Sequence, residues 1–263
     1  LYTLPVHSED RDYALSSMES GTVNFNNVRE HQGFSTKMYS TDTLVSLAYV
    51  TDIHWIASPV GITTPVTEAE VNEYRALCND KPLDALITTG DLYEGDFTDR
   101  DEMNYLENLF ERLYIPFYNA TGNHELGGVE AYLDEMADAW GRWNDTDEYY
   151  YKDINGVRFI FLSTNYTNNT ADVYSDDPLS NPYVGVTQLG WLSDLLDVTT
   201  LPVVVCSHVD LSYANGNDVQ DELEAFETGG GDVIVCLAGH KHDEDKTVVN
   251  GIEYLRFSAF VQD

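Results

Sequence analysis

Basic residues are scarce in this chain: 13 Lys and Arg stand against 46 Asp and Glu, a formal net charge of −33 over 263 residues. Such a surface repels polyanions and anionic lipid, and it lacks the cations that displace phosphate counterions, so an extended nucleic-acid groove is excluded. Cysteine is scarce too. Cys78, Cys206 and Cys236 cannot build a disulfide framework and form no C-x-x-C, which excludes thiolate metal sites and a small stapled fold. Cys206 and Cys236 lie inside apolar runs and read as buried free thiols. No stretch approaches the roughly 18 consecutive apolar residues of a helical membrane span. What remains is 43% hydrophobic and 12% aromatic residues with the acids scattered among them, enough to bury a core and too much for disorder. The acid-rich surface and few lysines suit a salty or extracellular setting. The first residue is Leu1, not Met, as removal of a leader or upstream segment would leave it.

Residues 1–43 are polar and weakly periodic and read as an N-terminal extension with at most short strands; 44–263, uninterrupted by linker composition, read as one domain. Leu44 to Val50 is a buried-strand run ending in polar Thr51-Asp52. A helix is expected from Val66 to Asn79, where Thr67 and Glu70 form a capping box. The unit repeats. Leu83 to Thr88 leads to Gly90-Asp91 and a helix over Thr98 to Tyr114, and Ile115 to Tyr118 leads to Gly122-Asn123-His124-Glu125 and a helix over Val129 to Trp143. Strands alternating with helices predict an α/β core with parallel strands. Tyr149 to Ile154 and Val157 to Leu162, joined at Asn155-Gly156, form a hairpin. After a long loop over Asn165 to Tyr183 come a helix (Gln188 to Leu196), a strand (Pro202 to Cys206), a helix (Asp218 to Phe226) and a strand (Asp232 to Leu237). A second hairpin, Val248 to Asn250 with Ile252 to Phe257, turns at Asn250-Gly251.

Five of the seven histidines, His54, His124, His208, His240 and His242, follow predicted buried strands and sit within two residues of Gly, Asp or Asn. The carboxyl ends of strands in an α/β sheet converge on one crevice, so residues distant in sequence meet there. Asp52 and His54, two apart on an extended chain, can point into it together. Asp91 adds a carboxylate able to bridge two cations, Asn123 an amide oxygen, and His208, His240 and His242 three imidazoles. These seven oxygen and nitrogen ligands, with no sulfur, exceed what one transition metal needs and suit two. For this composition D-x-H arises about 0.7 times by chance, whereas G-N-H-[DE] arises about 0.006 times.

The ordered series D-x-H, G-D, G-N-H-E, H, G-H-x-H resembles the calcineurin-like metallophosphoesterase superfamily from residue 44 to about 257. The resemblance implies an α/β (α+β) fold, a two-sheet β sandwich flanked by helices with a dinuclear centre at one edge. It implies that Asp52, His54 and His242 bind one divalent ion and Asn123, His208 and His240 another, with Asp91 bridging. His124 is implied to be the catalytic histidine that meets the phosphate or its leaving group, with Glu125 orienting it. The expected reaction is hydrolysis of a small phosphomonoester or phosphodiester by in-line attack of a metal-bridging hydroxide. The donors suit Mn, Fe and Zn alike.

The surroundings differ from two known branches. Protein Ser/Thr phosphatases resemble G-D-x-V-D-R-G and R-G-N-H-E, but Gly95 and Thr121 replace their arginines, so a phosphoprotein substrate is disfavoured. Purple acid phosphatases place a tyrosine ligand where this chain has Glu94. Trp55, Tyr93, Glu94 and Asp96 are candidates to line the pocket. The competing class is a non-catalytic binding or structural module on the same fold. Degenerate relatives of that kind lose ligands, and none is missing here.

Overall fold

The computed structural model describes residues 2–5, 43–54, 69, 72, 83–92, 116–126, 149–166, 168, 170, 183–213 and 216–259. The apolar runs form two sheets. Strands β1 (Tyr2–Pro5), β2 (Thr43–Val50), β3 (Ala85–Thr88) and β4 (Phe117–Asn119) make the first in sequence order. Strands β2, β3 and β4 are parallel, while β1 runs antiparallel to β2, with Leu4 opposite Val45. The N-terminal extension therefore adds an edge strand to this sheet.

The second sheet is built from β5 (Tyr150–Ile154), β6 (Val157–Leu162), β7 (Val203–Ser207), β8 (Val233–Ala238), β9 (Asp245–Val249) and β10 (Ile252–Arg256), in the order β5-β6-β7-β8-β10-β9. Its inner strands β6, β7, β8 and β10 are parallel, and the two hairpins close its edges with antiparallel β5 and β9. Both hairpins turn as expected. Asn155 and Gly156 have φ of 48° and 87°, and Asn250 and Gly251 have 51° and 97°, the left-handed pair of a two-residue turn that matches strand twist.

Alternation along the strands assigns the layers. Ile160 and Leu162 of β6, with Val203 and Val205 of β7, join a cluster with Leu192, Leu195 and Leu196 of helix α1 (Val186–Val198) and Leu223 of α2 (Asn217–Thr228). Phe159 and Phe161, on the other face of β6, are wholly buried. Phe161 stacks on Tyr150 at 4.6 Å and lies 6.1 Å from Tyr118 of the first sheet. The Tyr150 hydroxyl donates to the Asn119 carbonyl at 2.8 Å and accepts from the Asn119 amide at 3.0 Å, tying the sheets together. Each phenylalanine buried between the sheets stabilises the sandwich by about 2–3 kcal/mol. The chain is thus a two-sheet sandwich with α1 and α2 on the outer face of the second sheet.

Several expected boundaries move. The strand expected from Ile115 starts at Phe117, because Pro116 has no N–H to give the ladder. Strand β9 starts at Asp245 instead of Val248; its first residues are exposed and charged, so no apolar alternation announces them. Of the three early helices, Ala69 and Asn72 are helical as expected for 66–79. The helices over 98–114 and 129–143, and most of the 165–183 loop, lie outside the described residues.

Candidate metal centre

The parallel strands of both sheets end on one side, and the residues just past those ends meet. Oxygen and nitrogen donors of Asp52, His54 and His242 lie within 4.8 Å of one another, as do those of Asp91, His208 and His240 and those of His54, Asp91 and His124. Asp91 is central. Its Oδ2 lies 3.1 Å from His208 Nε2, 3.7 Å from His54 Nε2 and 4.0 Å from His124 Nε2. On one side, His242 Nε2 lies 3.3 Å from Asp52 Oδ1 and 3.1 Å from His54 Nε2. On the other, Asn123 Oδ1 and His240 Nδ1 lie 3.0 and 3.1 Å from His208 Nε2. All seven predicted ligand residues and His124 are therefore in one cluster.

The local backbone explains the motifs. Among the described residues, seven other than glycine have φ in the left-handed region: the two hairpin asparagines and Asp52, His54, Asp91, His240 and His242. Each costs conformational energy that such sites retain only where the surroundings impose it. The motif glycines supply part of that constraint. A Cβ on Gly239 would collide with Asp52 Oδ2 and Thr51 Oγ1, and one on Gly122 with Asp91 Oδ1. G-D, G-N-H and G-H are thus close-packing requirements as well as turn signals.

Hydrogen bonds fix which atoms face inward. His208 Nδ1 donates to the Thr89 carbonyl at 2.7 Å, which leaves Nε2 directed at Asp91 and Asn123. The His240 amide donates to both oxygens of Asp52 at 2.9 and 3.0 Å, and the His124 amide donates to Asp91 Oδ1 at 2.9 Å. Behind Asp52, Thr89 Oγ1 donates to Thr51 Oγ1 (2.8 Å), which donates to Asp52 Oδ2 (2.6 Å). Tyr49 joins this chain at Thr89 (2.6 Å) and donates to Ala238 O on the second sheet (3.1 Å). Oδ2 of Asp52 is thereby held by the scaffold, while Oδ1 accepts from the His240 amide and faces His242.

Burial opposes ionisation of both aspartates, but the surrounding histidines outweigh it and hold Asp52 and Asp91 below the usual carboxylate range. Burial would likewise lower His208, yet the adjacent Asp91 charge reverses the sign and raises it to about 9. His208 Nε2 faces Asp91 Oδ2, Asn123 Oδ1 and His240 Nδ1 together. One proton on Nε2 can serve only one of these acceptors well; a divalent cation satisfies several at once, so the donor set fits metal.

Glu125, expected to orient His124, bonds to the backbone around it. It is fully buried, and its carboxylate accepts from the amides of Leu92 (2.7 Å), Asp91 (2.9 Å) and Gly122 (2.5 Å), locking the β3 and β4 loops together. Burial and the Asp91 charge raise it to about 7. Sequence reasoning missed Tyr49, Thr51 and Thr89, and also Asn165. That asparagine matches a glycosylation sequon, but it is wholly buried and donates to the carbonyls of Thr121 (3.1 Å) and Gly122 (3.3 Å), just before Asn123. Trp55, Tyr93, Glu94 and Asp96 lie outside the described residues.

No curated protein matches the chain. Among solved structures it resembles a dimetal phosphatase from Danio rerio, with 13% identity, 82% of this chain and 88% of that one covered, and a TM-score of 0.64. It also resembles the anchor protein of the Plasmodium inner membrane complex (13% identity, 81% and 71% covered, TM-score 0.55). A third likeness is to a purple acid phosphatase from yellow lupin seeds (14% identity, 81% and 41% covered, TM-score 0.52). At these identities the likeness is one of fold. The sequence model for calcineurin-like phosphoesterases matches residues 45–244, spanning the motifs from Asp52 to His242, and the chain belongs to that family.

Proposed function

We propose that the cluster is a dinuclear centre that hydrolyses a small phosphomonoester or phosphodiester. The observation that carries this reading is the position of Asp91, whose Oδ2 lies between His54 Nε2 at 3.7 Å and His208 Nε2 at 3.1 Å. One carboxylate thus faces two donor groups. In this reading Asp52, His54 and His242 hold one ion and Asn123, His208 and His240 the other, with Asp91 shared. Two bound divalent ions would neutralise an anionic ester and lower the pKa of water from 15.7 toward about 7.

The chain's own residues supply the rest. His124, its side chain 31% exposed beside Asp91, is placed at the solvent edge of the cluster, where an imidazolium can stabilise or protonate a departing oxygen. Glu125 and Asn165 hold the backbone that carries Asn123 and His124. The Thr89 carbonyl keeps His208 in one tautomer. The oxygen and nitrogen donors suit Mn, Fe or Zn.

A charge of −33 disfavours long polyanions and leaves small esters captured at a cationic focus. It also favours a salty or extracellular setting. Residues 44–263 form the catalytic domain in this reading. The fold also serves in a protein described as an anchor, so fold alone does not separate an enzyme from a binding module; the complete donor set and His124 favour the enzyme. The test is turnover of p-nitrophenyl phosphate and its bis ester with Mn²⁺, Zn²⁺ or Fe²⁺. Metal-dependent turnover is expected, and its absence in protein shown to hold two ions would favour the binding module.

A further inference from the structure

We propose that Arg256 is a positioning residue that sets the spacing between the two halves of the metal centre. It ends β10, and its side chain is only 7% exposed. Nη1 donates to Asp210 Oδ2 at 3.0 Å and to the Tyr213 hydroxyl at 2.8 Å. Nε donates to Asp243 Oδ1 at 2.6 Å, and Nη2 lies 3.6 Å from Asp245 Oδ2.

The two principal partners sit beside ligands. Asp210 is two residues after His208, and Asp243 directly follows His242. Asp210 is buried, and its second oxygen accepts from the Ser212 amide at 2.8 Å, so the loop after β7 is held from both ends of one carboxylate. A planar guanidinium presents donors at fixed angles, so Arg256 joins the loop carrying His208 to the loop carrying His242 with little freedom. Those histidines belong to different halves of the proposed centre, and the proposal rests on that dinuclear reading. In a chain with few cations, one buried arginine shared by three aspartates also offsets acidic repulsion between these loops.

The experiment is Mn²⁺ titration of the full chain, with bound ions counted and their magnetic coupling read by electron paramagnetic resonance. Wild type is compared with Arg256→Met, Arg256→Lys and Asp243→Asn at a temperature where circular dichroism shows all folded. Wild type binds two coupled ions. Arg256→Met is expected to weaken the second ion about 10–100-fold and to diminish the coupling, as supporting partners of metal ligands do. Arg256→Lys keeps the charge but loses the fork and falls between.

Asp243 is exposed, so its substitution tests the same clamp without endangering the fold even where Arg256→Met does not fold; weakening of the second ion is expected there too. If folded Arg256→Met, or Asp243→Asn in its place, keeps wild-type affinity and coupling while only its melting temperature falls, Arg256 is merely structural and the proposal fails. If wild type itself binds no coupled pair, the dinuclear reading fails and the proposal with it.

Discussion

The two sheets bring different chemistry to the shared edge. Loops following the first sheet supply both aspartates, Asn123, His54 and His124, while loops following the second supply three imidazoles, His208, His240 and His242. Neither sheet completes either proposed ligand set: one ion needs His242 from the second sheet, and the other needs Asn123 from the first. Assembly of the sandwich and assembly of the site are therefore one event. The sheets meet through the Phe161, Tyr118 and Tyr150 rings and through the Tyr49 bond to Ala238, and metal would add a further link.

The largest effect should come from removing the donor both halves share. Asp91→Asn is expected to lose both ions and reduce turnover to background, with metal content measured by elemental analysis. Retention of one tightly bound ion would show that the halves are independent. His124→Ala tests the opposite property: both ions should stay while kcat falls about 10²–10⁴-fold. If its metal content dropped as far as that of Asp91→Asn, His124 would be a ligand.

Acidity probes the second sheet's contribution. His208 is raised from 6.5 to about 9 in the metal-free protein, so its stabilising contribution is complete below pH 6.5 and lost as pH rises through 9. In the proposed centre, metal would displace that proton. Metal affinity should rise with pH up to about 9, and stabilisation by metal should grow over the same window, measured as melting temperature with and without chelator. A pH-independent difference would mean that His208 does not bind metal.

The smallest effect is expected at the inter-sheet hydroxyl. Tyr49→Phe removes two buried hydrogen bonds, to Thr89 and Ala238, and should cost about 1–3 kcal/mol in denaturant unfolding, with a slight loss of metal affinity. A loss comparable with that of Asp91→Asn would give the Tyr49–Thr89–Thr51 chain a far larger role.

The clustered residues were legible because their signals are short-range: each follows a strand end, and Asp91, Asn123 and His240 directly follow a glycine, of which Gly122 and Gly239 leave no room for a Cβ. The hairpins were legible for the same reason, since Asn155-Gly156 and Asn250-Gly251 fix their turns locally. Arg256 and Tyr49 were not legible. Their decisive partners, Asp210 and Ala238, are 46 and 189 residues away, and an arginine in a strand or a tyrosine in an apolar run carries no signal of such contacts. A G-N-H-E motif puts the glutamate near the site but does not tell which backbone amides its oxygens take. Asn165 opens a polar loop and carries no sequence signal of its scaffold role, which comes from burial behind Gly122.

The most direct test of the central claim is anomalous diffraction from crystals of the Mn²⁺-loaded protein. Two peaks should flank Asp91, one among Asp52, His54 and His242 and the other among Asn123, His208 and His240. A single peak, or two that do not share Asp91, would contradict it.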